Sequence, residues 1–194
     1  MPRPRKASDA EVMAATHRVM QEVGPAQLTL ARIAAKAGVT AGALVQRFGS
    51  KRGLMLALMA EFSESAPAFF AQLRAAHPSP LAALRAYGEC QARMADSPAA
   101  LAHHLAYLQI DLTDPDFHAH LGTQARDTRD ELRRLIVDAV AAGELAGSTD
   151  VDRLTRAVQA AVNGSLFVWA MLREGTAAAW VRADLDAVLA PYLT

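Results

Sequence analysis

The chain has 194 residues, is 52% hydrophobic with many Ala and Leu, and balances 20 basic against 20 acidic side chains. That length admits one large domain, or a small one joined to a larger one, and the composition favours an all-helical fold. No window approaches about 18 uninterrupted apolar residues, so no membrane span is expected. The start, MPRPRK, has no apolar stretch behind it and does not read as a secretory signal. Cys90 is the sole cysteine, which excludes an intrachain disulfide and suits a reducing cytoplasm. The zero net charge hides an asymmetry. Residues 1–53 hold nine Lys and Arg against three acids, a surplus of +6 that the remaining residues cancel. A basic end on an acidic body points to a polyanion partner at the N-terminus.

In chain order, residues 1–7 read as a disordered basic arm bearing Arg3, Arg5 and Lys6. Ser8 with Glu11 three residues on forms a capping box, opening a helix to about Val23 whose buried stripe is Val12, Thr16, Val19 and Val23. Gly24-Pro25 ends it. Thr29 caps a short helix with Ile33, Ala34 and Ala37 on one face, and Gly38 stops it in a left-handed conformation. Val39 plugs the turn, and Thr40 caps a second short helix pinned by Leu44 and Phe48. The free face of that helix is lean and polar: Ala41, Gly42, Ala43, Gln46 and Arg47. Two short helices and a glycine turn, the second helix small at its N-terminus, suit insertion into a DNA major groove.

Ser50 caps a long fourth helix carrying Leu54, Leu58, Phe62, Phe69, Phe70 and Leu73, with Pro67 inside it. Proline removes an i to i−4 hydrogen bond, so a kink near Ser63 or a break at Ala66 is predicted. After the linker His77–Pro80 come a helix with Leu81, Leu84, Tyr87 and Gln91 on one face, a cap at Asp96-Ser97-Pro98, a helix to about Leu112, and a helix opened by Asp114-Pro115 and ending near Gly143. Asp150 opens the most apolar helix, to about Arg173; Gly175-Thr176 separates it from a last one. Two such apolar helices at the end of the chain suggest a surface buried by a second copy.

The stretch Leu28–Leu54 resembles the helix-turn-helix of the TetR family of bacterial transcriptional regulators. The residues that carry the likeness are Gly24, Thr29, Ile33, Ala34, Ala37, Gly38, Val39, Gly42, Leu44, Phe48, Ser50, Lys51 and Leu54. The resemblance implies an all-α protein of about nine helices. Residues 1–50 would form a three-helix DNA-binding head, and residues 51–194 a body that binds a small-molecule effector and dimerises. It implies Thr29, Thr40 and Lys51 at phosphates, Gly42 where the backbone nears DNA, and Ala41, Ala43, Gln46 and Arg47 at bases or nearby phosphates. Position 45 is usually a tyrosine that meets a phosphate; here it is Val45, with the charge of Arg47 as the candidate compensation. The partners implied are double-stranded DNA with a palindromic operator and a second copy of the chain, without a membrane. Helices eight and nine would form the dimer interface through Val158, Val162, Ser165, Leu166, Trp169, Trp180, Leu185 and Leu189.

Other signals read more plainly. The arm either reaches a minor groove or, as favoured here, adds only non-specific attraction. His103, His104, His118 and His120 near Asp111, Asp114 and Asp116 read as satisfied or surface histidines and no metal site, because i and i+2 positions do not face each other on a helix. Cys90 reads as a small core residue. Phe62, Phe69, Tyr87, Met94, Tyr107, Phe117 and Phe167 could line a pocket for a largely apolar effector. No phosphate loop, nucleophile elbow or paired carboxylates appear, so neither an enzyme nor a cofactor is expected.

Overall fold

The computed structural model describes residues 7–93, 95 and 97–194. The arm cations Arg3, Arg5 and Lys6, the capping Asp96 and the pocket candidate Met94 lie outside the described residues. Among the described residues there are nine α-helices: α1 (Asp9–Glu22), α2 (Leu30–Ala37), α3 (Ala41–Phe48), α4 (Lys51–Ala76), α5 (Pro80–Arg93), α6 (Pro98–Thr113), α7 (Pro115–Ala141), α8 (Val151–Leu172) and α9 (Ala177–Leu189). A 3-10 turn, Ala190–Tyr192, closes the chain. The expected all-α architecture is what the molecule has.

Local chemistry starts these helices where the residues say it should. The Ser8–Glu11 capping box is complete, with both the side-chain and the backbone arm formed. Thr29 accepts from the Arg32 N–H at 3.2 Å and Thr40 from the Ala43 N–H at 3.1 Å. Ser50, Ser79 and Ser97 accept likewise from Gly53, Ala82 and Ala100. Asp150 accepts from the Arg153 N–H at 3.0 Å. Gly38 sits at φ 68°, the left-handed conformation that ends α2, and the Val39 N–H donates to the Ala34 carbonyl.

Contacts divide the chain into two compact units that do not follow sequence order: residues 1–64 with 102–122, and residues 65–101 with 123–194. The linear division at residue 50 therefore differs from the packing. The first unit contains α1–α3, the first turns of α4, most of α6 and the start of α7. Its core gathers Val12, Val19, Leu28, Ile33, Leu44, Leu54 and Leu58, and α6 and α7 add Tyr107 and Phe117. The Tyr107 hydroxyl donates to the Val23 carbonyl at 3.1 Å, and burial pushes its ionisation up to about 12.

In the second unit α9 packs against α8 and α5. Gly88 makes the α5 contact possible, because a Cβ there would lie 3.1 Å from both Val181 Cγ1 and Leu185 Cδ2. Buried Glu131 is held by Arg74 at 2.7 Å and also by Arg134. Tyr87 stacks on Phe70 with ring centroids 5.4 Å apart.

Helix α4 bears on two expectations. The helix α4 runs unbroken through Pro67. Proline takes away only the bond that its own N–H would have made to the Ser63 carbonyl, and neighbouring turns keep theirs. There is therefore no break at Ala66. Second, α4 is long and apolar enough, by length and composition, to cross a membrane. Its Leu54, Leu58, Phe70 and Leu73 are buried, as core helices of this composition require.

Candidate nucleic-acid interface

The site is built on α2, the Gly38 turn and α3. Ile33 and Leu44 are fully buried and hold the two helices together, so their opposite faces are free. On α3, Gly42, Val45, Gln46 and Arg47 are exposed and Ala41 and Ala43 half-exposed. No packing demands a glycine at 42: the nearest heavy atom to an added Cβ is Thr40 Oγ1, at 3.9 Å. Its missing side chain instead leaves the start of α3 bare, where a phosphate or groove edge can meet backbone. Gly53 is the opposite case. A Cβ there would lie 2.1 Å from the Phe48 carbonyl oxygen, so the tight α3–α4 junction itself requires glycine.

The two capping threonines are chemically suited to phosphate. Each hydroxyl spends a lone pair on a helix N–H, which leaves its O–H proton to donate outward. Lys51 Nζ donates to the Leu28 carbonyl at 3.1 Å, which orients an ammonium that keeps two further donors. Val45 is 45% exposed and has no polar atom to offer.

Three neighbouring cations have partners that the sequence did not announce. Arg47 turns back to the start of α1, donating from Nη1 to the Ala7 carbonyl at 2.7 Å and from Nη2 to Asp9, and stacks 5.6 Å from the Phe48 ring centroid. Lys36 pairs with Glu22. Arg52 lies 2.8 Å from both Asp114 and Asp116 and 5.4 Å over the Phe117 ring. Hydrogen bonds to Asp116 and then Asp114 raise the Arg52 pKa, and Arg52 in turn holds the Asp114 carboxyl below its usual range. These pairs are separated by 14 to 64 residues, and no spacing rule announces them. A patterned surplus of +6 thus contains several cations already engaged in ion pairs.

The chain matches the family model described as bacterial regulatory proteins, tetR family, over residues 12–58, and that described as tetracyclin repressor-like, C-terminal domain, over residues 105–185. The chain belongs to the TetR family of transcriptional regulators. It is 27% identical to the probable HTH-type transcriptional regulator ArpR of Pseudomonas putida over 95% of this chain and 93% of that one. Among solved structures, a TetR transcription regulator from Haloarcula marismortui superposes with a TM-score of 0.74 at 20% identity, covering 96% of this chain and 98% of the other. FadR from Bacillus subtilis, solved in complex with stearoyl-CoA, gives 0.70 at 17% identity over 93% and 97%. Residues Thr29 to Lys51 of this TetR-family chain all lie inside the first family match.

The remaining candidates are dispersed. Of the pocket aromatics, Phe62, Tyr107 and Phe117 belong to the first unit. Phe62 meets the His17 ring edge-on at 5.3 Å, and Phe117 lies beneath Arg52. Phe69 and Tyr87 surround Phe70 in the second unit, and Phe167 is 43% exposed. A cleft of about 290 Å³ in that unit is lined instead by Arg129, Asp130, Arg133, Asp152, Thr155 and Arg156. His103 Nδ1–H donates to the Gln21 carbonyl, 3.2 Å away, and Asp114 and Asp116 are spent on Arg52.

The residues expected at a dimer interface are covered within the single chain. Val158, Val162, Ser165, Leu166, Trp169, Leu185 and Leu189 are buried, and Trp180 is half-buried with its Nε1–H on the Glu174 carbonyl at 2.7 Å. The widest apolar stripe of α8 is consumed by its own chain. What α8 leaves open is a second arc, Phe167, Val168, Met171 and Leu172, spaced i, i+1, i+4, i+5 and continued by Gly164, which has open space around it.

Proposed function

We propose that this TetR-family regulator is a dimeric repressor that binds a palindromic operator through α3 and is released by a small, largely apolar effector held in residues 51–194. The reading rests on one observation above all: the bare, unpacked start of α3 at Gly42, next to the capping Thr40, whose hydroxyl keeps a proton to donate. In this reading Thr29, Thr40 and Lys51 hold phosphates, and Ala41, Ala43 and Gln46 lie against base edges, with Arg47 beside them. Two such helices reach successive major grooves when their separation is about 34–36 Å. The second copy joins through the open arc of α8, since an apolar patch of this size beside small residues is what a self-complementary contact uses. Effector binding favours a body conformation in which that separation no longer fits. The acyl chain bound by the Bacillus subtilis neighbour agrees with an apolar effector. The protein works in the cytoplasm, where the operator is.

The decisive experiment is selection of bound duplexes from random DNA, followed by affinity against salt on the winner. A palindromic consensus and a steep negative slope of log affinity on log salt are expected. Failure to enrich any sequence, together with salt-independent binding, sinks the reading. A regulator without effector is the competing possibility, and thermal stabilisation by apolar ligands separates the two.

A further inference from the structure

Residues 54–194 carry eleven cationic side chains, all of them arginine and none lysine. The planar fork of arginine bonds two oxygens of one phosphate or carboxylate at once, which an ammonium does not. Several of these arginines are spent on carboxylates of the chain: Arg74 on Glu131, Arg85 on Asp186 and Arg182 on Glu89, each within 2.8 Å. Three others, Arg129, Arg133 and Arg156, line the cleft of about 290 Å³ in the second unit. Helical spacing puts Arg129 and Arg133 on one face of α7, and Asp152 with Arg156 on one face of α8. Arg133 donates its Nε–H to Asp152 at 2.7 Å. Arg129 Nε lies 3.9 Å from Asp130, beyond hydrogen-bonding distance, and among the described residues Arg156 has no acceptor. Like charges four residues apart weaken a helix, so α7 itself gains nothing from this placement. Thr155 forms a buried floor, its hydroxyl donating to the Val151 carbonyl at 2.7 Å, so the donors facing the cleft are the arginines.

We propose that this cleft is a binding site for a compact phosphate monoester, held by Arg129 and Arg156, with Arg133 kept beside them by Asp152. Two arginines without a hydrogen-bonded carboxylate balance the charge of about −2 that a phosphate monoester carries near pH 7. Each fork matches a pair of oxygens on one phosphoryl group. The cleft lies just under the range of about 300–1,000 Å³ that small-molecule sites occupy, so it takes a small organic phosphate. Such a ligand is anionic and polar, and is therefore a different molecule from the apolar effector. Its binding does not depend on the DNA-binding reading.

The test is isothermal titration calorimetry on the full chain without DNA, with ribose 5-phosphate, inorganic phosphate and succinate as probes at one ionic strength. Saturable binding of ribose 5-phosphate at one site per chain is expected. Inorganic phosphate should bind more weakly, because it leaves part of the cleft unfilled. Succinate, whose two charges sit on separate carboxylates, should bind more weakly than either. Arg129→Gln and Arg156→Gln should each weaken ribose 5-phosphate about tenfold, the worth of a charge-assisted hydrogen bond. Arg182→Gln, which removes an exposed arginine elsewhere in the second unit, should leave it unchanged. Circular dichroism confirms that each variant is folded. No saturable binding overturns the site. Succinate binding as tightly as ribose 5-phosphate, or an equal loss in Arg182→Gln, shows general attraction to positive charge and overturns it too. Equal affinity for inorganic phosphate and ribose 5-phosphate overturns the choice of a monoester. Because no operator is present, each of these failures leaves the regulator reading standing, and that reading falls only on the operator selection.

Discussion

Gly42 and Gly53 lie either side of the α3–α4 junction and answer to different constraints. Gly42→Ala adds a methyl into open space, so thermal unfolding should be unchanged or slightly raised, since alanine is the better helix former. Operator affinity should fall about tenfold if backbone approaches DNA there, and a variant that binds as tightly as the parent removes that contact from the interface. Gly53→Ala should instead lower Tm without any DNA present, because its Cβ collides with the Phe48 carbonyl. His17 gives the pH dependence. Burial beside Phe62, and next the charge of Arg18, lower its pKa below 6.5. The folded state then binds the proton less well than the unfolded chain, so this group's stability is present above pH 6.5 and is lost as the pH falls through the lowered value. Tm should drop between pH 7.5 and 5.5, and drop less in His17→Asn; equal drops would place the acid sensitivity elsewhere.

At the scale of elements, helix starts are local affairs and helix contacts are not. Ser8, Thr29, Thr40 and Ser50 each satisfy an N–H within three residues, so their roles can be read from spacing alone. The α5–α9 contact depends on Gly88, which no local pattern singles out. Gly88→Val should cost about 1–3 kcal/mol by overpacking Val181 and Leu185, measurable by urea unfolding. Tyr107→Phe should cost about 1 kcal/mol, because the Val23 carbonyl at the end of α1 loses its donor. A loss near zero would mean that solvent replaces the hydroxyl.

For the whole molecule, the open arc of α8 is the surface proposed to join two copies. Met171 is 73% exposed and Leu172 52%, and neither has a reason within the chain to be apolar. Met171→Glu should convert a dimer to a monomer by light scattering while leaving helicity intact, and should lower operator affinity because two half-sites are no longer held together. A variant that remains dimeric places the interface on another face. The charge division acts at the same scale. Because Arg47, Arg52 and Lys36 are paired, the first unit presents less free positive charge than its composition suggests.

What the amino-acid sequence determined by itself was everything governed by near neighbours. Among the described residues that covers the helices with their serine, threonine and Asp150 caps, the left-handed Gly38 and the exposed face of α3, because capping and periodicity act over three to eight residues, while the family was carried by a motif resemblance. It placed Val158, Val162 and Trp169 on an apolar stripe, correctly, and could not tell which partner would cover them. Burial by α9 and α5 is a tertiary event, and only it revealed Phe167, Val168, Met171 and Leu172 as the surface left over. The same holds for Arg47. Its position on α3 follows from helical spacing, but its direction is decided by Ala7 and Asp9, thirty-eight and more residues away, where the folded chain returns to meet it.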